Sequence, residues 1–151
     1  MHLTIRSNHA MRLLMYCALN ENRIAPVAEI AKACNMSEAH LGKIANTLAG
    51  LGFVETIRGR GGGVRLARPP HEVLVGAVVR RTEMGPCLTE CLDPETNTCP
   101  LTGACRFRTV LGRALEAFLN VLDGYTLADL VSPGDDLRRA MGLERPVAVP
   151  A

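Results

Sequence analysis

The run of residues 58–63, Arg-Gly-Arg-Gly-Gly-Gly, constrains the fold more than any other segment, because four of its six residues are glycine. Glycine readily adopts the positive φ angles that a tight hairpin tip requires. Short β-prone segments, 53–56 and 64–67, flank the run. The pattern therefore predicts an antiparallel hairpin with a basic tip. Its charge is carried by Arg58, Arg60 and Arg65.

A glycine-rich loop that binds nucleotide phosphates is the alternative interpretation of this run. Phosphate-binding loops of that kind carry a Lys-Ser or Lys-Thr pair or open directly into a helix. Neither feature follows these glycines, and their spacing fits neither phosphate fingerprint. The hairpin is therefore favoured.

Three amphipathic segments precede the hairpin. Apolar residues recur at helical spacing in the first of them, with Ser7 and Asn8 as candidate caps. Pro26 opens a second helix over 27–33, and a third is predicted over 37–49. Three short helices alone also fit a plain bundle. Followed by a basic hairpin, they predict a mainly α fold with a small β-hairpin, a winged helix-turn-helix.

In a helix-turn-helix, the second helix of the pair enters the major groove of DNA. Arginine on a narrow hairpin can enter the minor groove or pair with phosphates. Residues 1–70 hold nine Lys and Arg against four Glu, whereas residues 71–151 hold eight against eleven Asp and Glu. A chance asymmetry of surface charge is the alternative, but the predicted partner is double-stranded DNA. The expected contacts from the third helix are Ser37, Glu38, His40 and Lys43.

Two further helices are predicted after the hairpin. Pro69 and Pro70 interrupt the chain, and a helix is expected over about 73–83. Apolar residues then recur at three-four spacing from Val110 to Leu122, which predicts the longest helix. Its apolar stripe is broad, so we expect it to pack against the same helix of a second protomer in a homodimer. Packing on its own domain is the alternative.

Four cysteines lie within nineteen residues between these two helices. The amino terminus is polar and no apolar run approaches a membrane span, so we expect a cytoplasmic protein. There, cysteine-only donor sets indicate an iron–sulfur cluster. Zinc and a metal-free thiol–disulfide switch stay open, although gaps of three and seven residues fit a zinc ribbon poorly. The four are Cys87, Cys91, Cys99 and Cys105.

The other two cysteines, Cys17 and Cys34, lie in apolar helical patterns and are predicted to be core residues. A redox enzyme is the least supported class of function. The sequence has no Cys-x-x-Cys, no nucleotide fingerprint and no Ser–His constellation.

These motifs divide the chain into three parts. They are a DNA-binding part (1–70), a cysteine loop with a dimerisation helix (71–131) and a carboxy-terminal tail (132–151).

Taken together, these motifs resemble the iron–sulfur-cluster winged-helix repressor family that includes NsrR, IscR and RirA. The resemblance covers roughly residues 1–131. It is carried by Met-His-Leu-Thr at the start, the 58–66 hairpin, the spaced cysteines and Tyr-Thr-Leu-Ala-Asp-Leu-Val at 125–131. Asn-Thr-Cys-Pro at 97–100 is most similar to the nitric-oxide-sensing NsrR group. Asn8 and Leu-Met-Tyr-Cys-Ala at 14–18 resemble the iron-responsive RirA group.

The resemblance implies that Cys91, Cys99 and Cys105 hold a 4Fe-4S or 2Fe-2S cluster. Some NsrR proteins take a fourth ligand, an Asp, from the other protomer, at the position that corresponds to Asn8 of the partner subunit. An amide is a poor iron ligand, which leaves the fourth position to water, a small thiol or Cys87.

The implied function is a repressor that releases operator DNA when its cluster is nitrosylated or lost, with nitric oxide as the expected signal. A regulator that responds to iron or to cluster status is one alternative. A DNA-binding protein with a zinc site or a thiol switch is the other.

Overall fold

The structure is a computed structural model that describes residues 3–83 and 88–143. None of the helices in this part of the chain combines the length and the apolar character that a membrane span needs. The helices are α1 Ile5–Leu19, α2 Val27–Ala33, α3 Glu38–Gly50, α4 Val75–Thr82, α5 Arg106–Asp123, α6 Leu127–Leu130 and α7 Asp135–Ala140, and the strands are β1 Val54–Ile57 and β2 Gly63–Leu66. Short 3₁₀ turns occupy Pro70–Glu72 and Glu90–Leu92.

One apolar core holds the first three helices, the hairpin and α4 together, which confirms the mainly helical winged fold. The strands pair antiparallel, with Val54 opposite Leu66 and Ile57 opposite Gly63. Burial of large apolar side chains at this density is the main favourable contribution to folding. The fully buried residues of this core include Leu13, Leu14, Tyr16, Ile30, Leu41, Leu48, Val64 and Val78.

The start of α1 differs from the prediction. Thr4, not Ser7 or Asn8, is the N-cap, and its hydroxyl accepts a hydrogen bond from the Ser7 amide at 3.2 Å. Ser7 is only 2% exposed, and its hydroxyl bonds that of Thr82 on α4 at 2.8 Å. The prediction was wrong because Ile5 in the first turn is 69% exposed, so the apolar periodicity begins one turn late.

Gly63 lies where β2 meets the segment before α2. Ala25 and Val64 exchange two backbone hydrogen bonds there, at 2.9 and 2.8 Å. A Cβ at Gly63 would lie 2.2 Å from the Ala25 carbonyl oxygen. A backbone atom cannot rotate away as a side chain can, so this site requires glycine.

Gly63→Ala is therefore expected to lower the free energy of unfolding by about 3 kcal/mol, the upper end of the usual overpacking range. Urea unfolding followed by circular dichroism measures this. Gly103→Ala is the matched control, since its Cβ would meet nothing within 4 Å. Equal stability of the two variants would contradict the prediction.

Helix α4 connects the winged unit to the long helix through two adjacent arginines. Arg80 forms a bidentate ion pair with Asp123 near the end of α5, with both N–O distances 2.6 Å. Arg81 donates to the Leu51 carbonyl at 3.1 Å, just past the end of α3, and its guanidinium carbon lies 5.6 Å from the Phe53 ring centroid. α4 thus contacts both the long helix and the end of the third helix.

The carboxy-terminal segment contains a helix that the sequence analysis did not anticipate. α7 spans six residues, too few for an apolar period to be recognised. Arg138 donates a hydrogen bond to the Leu19 carbonyl at the end of α1, and Met141 and Leu143 pack against the core. Residues 144–151 of the predicted tail lie outside the described residues.

Candidate DNA-binding surface and cysteine loop

Helix α3 presents the predicted base-reading residues in two different environments. The Ser37 hydroxyl accepts a hydrogen bond from the His40 amide at 3.3 Å, which makes Ser37 the N-cap of α3, at the start of the predicted helix. Glu38 and Lys43 are exposed. His40 is half-buried, because its Nε2 lies 2.9 Å from Nδ1 of His9 on α1. Lys43 is therefore the cation of α3 that is directed into solvent.

The His9–His40 contact carries one shared proton, since one ring nitrogen donates and the other accepts. Burial, followed by the neighbouring charges of His40 and Arg12, lowers the pKa of His9 below its ordinary value of 6.5. A base with a lowered pKa in the folded state binds protons less readily there than in the unfolded chain. Acid therefore favours the unfolded chain at this site.

The free energy of unfolding is accordingly expected to fall as the pH drops from about 7 to below the ordinary histidine pKa. His9→Gln should reduce this dependence, and urea unfolding at several pH values measures it. The exposed His71 provides the control variant, His71→Gln. An unchanged pH dependence in His9→Gln would show that this contact does not limit stability in acid.

The three predicted arginines of the hairpin also differ in their environments. Arg65 pairs with Glu55, which stands opposite it across the strands, at 2.7 Å. Arg58 and Arg60 are exposed at the tip and form no ion pair or hydrogen bond with any described residue. Their charges are free to meet an external anion, whereas that of Arg65 is largely satisfied within the hairpin.

A groove of about 420 Å³ separates α3 from the hairpin. Asn46 of α3 lies on it, with Gly42 beside it and Thr56 on the opposite wall. Asn46 is exposed, and its amide can both donate and accept hydrogen bonds. The sequence analysis did not include Asn46 among the contact candidates. Its place on the outward face of the third helix was the signal that could have found it.

The cysteine loop occupies the segment before α5. Cys91 lies in the 3₁₀ turn Glu90–Leu92, and Cys105 is the residue immediately before α5. Cys91, Cys99 and Cys105 are free and half-buried. Cys87 lies outside the described residues. Among the described residues, no three His, Cys, Asp or Glu side chains are placed to hold a metal ion together.

Polar side chains within the loop fix the backbone around these thiols. The Asn97 side-chain oxygen accepts from the Cys99 amide at 3.0 Å and from the Thr102 hydroxyl at 3.1 Å. The Thr89 hydroxyl lies 3.1 Å from the Cys91 sulfur. Three free, accessible thiols are the donors that iron–sulfur clusters take, so the donor set fits such a group by its chemistry.

Cys17 and Cys34 are core residues, as predicted, with exposed fractions of 3% and 5%. Burial, with a smaller contribution from Cys34, raises the pKa of the Cys17 thiol to about 12. Burial also raises the pKa of Cys34. Thiols held in the protonated state are poor metal ligands.

Helix α5 carries the broad apolar stripe that the sequence predicted, and its own chain covers only one side of that stripe. Leu111, Leu115 and Phe118 are half-buried and Leu119 is buried, on the face toward its own chain. The neighbouring, exposed side of this stripe carries apolar residues at alternating spacings of three and four, the pattern of a coiled-coil seam. This exposed seam consists of Phe107, Val110, Ala114, Ala117 and Val121. Its largest members are 65%, 61% and 63% exposed, for Phe107, Val110 and Val121 respectively.

Comparison with known proteins places this geometry among transcription regulators. The Rrf2 family model, described as an iron-dependent transcriptional regulator, matches residues 3–133. The HTH-type transcriptional regulator NsrR of Geobacillus kaustophilus is 50% identical over 139 residues, which cover 91% of this chain and 95% of that protein. Protein aau3 of Rhizobium meliloti is 44% identical over 147 residues, 97% of this chain and 96% of that protein.

Solved structures show the same fold. The structure of T. potens IscR aligns with a TM-score of 0.72 at 22% identity, covering 91% of each chain. CymR of B. subtilis, the global cysteine regulator, aligns with a TM-score of 0.71 at 25% identity, covering 89% of this chain and 99% of that one. The structural similarity extends beyond the first three helices and the hairpin to most of the chain.

Proposed function

Because this chain belongs to the Rrf2 family of transcriptional regulators, which are not enzymes, we propose that it is a homodimeric repressor that binds operator DNA and is released by nitric oxide through an iron–sulfur cluster. The observation that carries the DNA-binding part is the free charge of Arg58 and Arg60 at the tip of the hairpin, next to the groove that α3 borders. Relatives at 40–50% identity that are named NsrR support the nitric oxide signal.

The proposed DNA contact uses α3 and the hairpin together. α3 lies in the major groove, where Lys43 meets a phosphate and Asn46 reaches a base edge. Ser37, Glu38 and His40 lie at the amino-terminal end of α3, although the His40 ring is hydrogen-bonded to His9. Arg58 and Arg60 contact phosphates or the adjacent minor groove, and Arg65 supports the hairpin through Glu55.

Arg60→Ala is expected to weaken operator binding by about tenfold and to reduce the slope of log affinity against log salt by about 0.9 for each phosphate that is no longer neutralised. Fluorescence anisotropy at several salt concentrations measures both. Arg65→Ala is the matched control and should change the slope less, because Glu55 already pairs with it. An unchanged slope in Arg60→Ala would remove the hairpin from the phosphate interface.

The dimer contact proposed here is the exposed seam of α5. A row of apolar side chains that is more than half exposed is costly for an isolated chain in water. Two copies of the seam can pack side by side about a two-fold axis and bury it. A symmetric dimer would also present two α3 helices to the two half-sites of a palindromic operator.

The cysteine loop is the proposed cluster site. Cys91, Cys99 and Cys105 would hold the cluster, with the fourth position taken by Cys87, Asn8 of the partner subunit, water or a small thiol. When bound, an iron–sulfur cluster supplies iron that nitric oxide can attack. Within its own protomer Asn8 is exposed and accepts a hydrogen bond from Arg12 at 3.0 Å.

Coupling between the loop and the DNA would pass through α4. Asp123 of α5 is held by Arg80, and the neighbouring Arg81 holds the end of α3 and the Phe53 ring beside the hairpin. A shift of α5 that follows a change in the loop would therefore reach both DNA-contacting elements. A coupling free energy of about 1–3 kcal/mol between the sites would be enough to change operator occupancy.

Protein purified without air provides the test of this function. Iron, sulfide and zinc per chain are measured first, and operator affinity is then measured before and after a nitric oxide titration. Iron with sulfide, and an affinity that falls with nitric oxide, supports the proposal. A cluster that ignores nitric oxide but is lost under iron limitation would favour the iron-responsive alternative. Zinc alone would refute a cluster sensor.

A further inference from the structure

We propose that Arg108 is the positioning residue for the Cys91 thiol. Its fixed charge then controls how firmly the loop retains a bound iron–sulfur cluster, and it sets the potential at which that cluster is reduced. This rests on the proposed function, because the retained group is the cluster. The carrying observation is a single contact, in which Nε of Arg108 donates to the Cys91 carbonyl at 2.6 Å.

Arg108 joins the two ends of the loop. It lies in the first turn of α5, three residues after Cys105, and reaches back to the turn that contains Cys91. Leu92 lies against the same face of α5 one turn further along, within 3.7 Å of the position that a Cβ on Gly112 would occupy. The turn 90–92 is therefore docked on α5 at two points, and the Cys91 and Cys105 segments are held to one helix end.

The charge of Arg108 has no evident role in stabilising α5 itself. The first turn of α5 contains Arg106 and Arg108 and no acidic residue. Cations at a helix amino terminus oppose the helix dipole, so this arrangement disfavours the helix. A cluster bound by three thiolates is anionic, and a guanidinium beside it would offset that charge. The arrangement that is unfavourable for an isolated helix is suitable for an anionic group.

The Cys91 side chain is oriented as well as its backbone. The Thr89 hydroxyl lies 3.1 Å from the Cys91 sulfur, and the Thr89 carbonyl accepts from the Leu92 amide at 3.1 Å. Arg108 fixes the carbonyl of the same residue. Removal of the Arg108 side chain would therefore release the Cys91 carbonyl and leave the turn 90–92 docked on α5 through Leu92 alone.

The experiment compares the wild type with Arg108→Gln, Arg108→Lys and Arg113→Gln. Gln keeps a donor without charge, and Lys keeps the charge without the planar donor group. Arg113 is an exposed arginine of the same helix whose side chain forms no hydrogen bond or ion pair with a described residue, and it is the matched control. Urea unfolding of each metal-free variant verifies that it is folded.

Three readouts are measured. In the metal-free chain, hydrogen exchange at the Leu92 and Asp93 amides should be faster in Arg108→Gln, because both donate within the docked turn. In the cluster-loaded protein, iron loss to a chelator should be about tenfold faster, as for other groups that orient metal ligands. The midpoint potential should become more negative in Arg108→Gln and should be largely restored in Arg108→Lys.

Unchanged iron loss and an unchanged potential in Arg108→Gln would overturn the inference, even if hydrogen exchange became faster. A similar response in Arg113→Gln would overturn it too, because general surface charge would then explain the effect. Wild-type protein without iron or sulfide would refute the proposed function and this inference with it. That failure is recognised in the wild type, before any variant is compared.

Discussion

Replacing Cys99 with alanine is expected to reduce the iron and sulfide bound per chain to near zero and to make operator binding insensitive to nitric oxide. Cys99 is one of three accessible thiols in the described loop, and its amide is fixed by the Asn97 side chain. Cys99 is a proposed direct ligand, and removing a ligand should cost at least as much as removing a group that orients one, so affinity for the metal should fall on the order of 100-fold or more. Metal analysis and the cluster absorption spectrum measure this.

Cys34→Ala is the control for Cys99→Ala. It removes a thiol of the core, where burial raises the pKa, and it should leave the iron content unchanged. Full iron content in Cys99→Ala would show that Cys99 is not needed to hold the cluster and would contradict the proposed site. Cys87→Ala, compared in the same way, determines whether the fourth thiol takes part.

Introducing glutamate at Val110 and Val121 together is expected to convert the proposed dimer to monomers and to weaken operator binding on the order of 100-fold or more. Both side chains are more than 60% exposed in the α5 seam, and charges placed there would face each other across a two-fold axis. Sedimentation velocity measures the oligomeric state, and anisotropy measures the affinity. A half-site duplex should be bound about equally by the variant and the wild type at concentrations where both are monomeric.

Thr109→Glu is the matched control for this pair of substitutions. Thr109 is exposed on α5 but lies outside the seam, so it adds the same kind of charge to the same helix without entering the proposed contact. It should remain dimeric. A dimeric Val110→Glu, Val121→Glu variant would reject the seam as the interface and move the search to another surface.

The fold was predictable from sequence wherever a local pattern determined it. The glycine run required a hairpin, and Ser37 identified the start of α3. The start of α5 was missed because its first turn, Arg106–Thr109, contains one apolar residue, Phe107, which points into solvent. Periodicity predicts the apolar stripe of α5, but it does not show which side of the stripe the chain itself covers and which side stays exposed as the seam.

The candidate site was less predictable, because it depends on contacts between segments that are distant in sequence. Nothing in the sequence pattern of α3 indicates that the His40 ring hydrogen-bonds that of His9, thirty-one residues earlier. The pairing of Arg65 with Glu55 follows only once the strand register is known. The relative positions of the three thiols depend on a loop with no repeating pattern, whereas the donor chemistry was evident from the cysteines alone.

The two adjacent arginines of α4 differ in whether a second substitution can restore a contact that a first one has broken. Arg80 meets a side chain, so a defect in Arg80→Asp can in principle be repaired by Asp123→Arg, which restores the ion pair with reversed polarity. Arg81 meets the Leu51 carbonyl, which no substitution can alter, and the ring of Phe53, which is only 4% exposed, so that a compensating charge at Phe53 would be buried in the core. A genetic selection for restored DNA binding should therefore return a compensating change for the first arginine more readily than for the second.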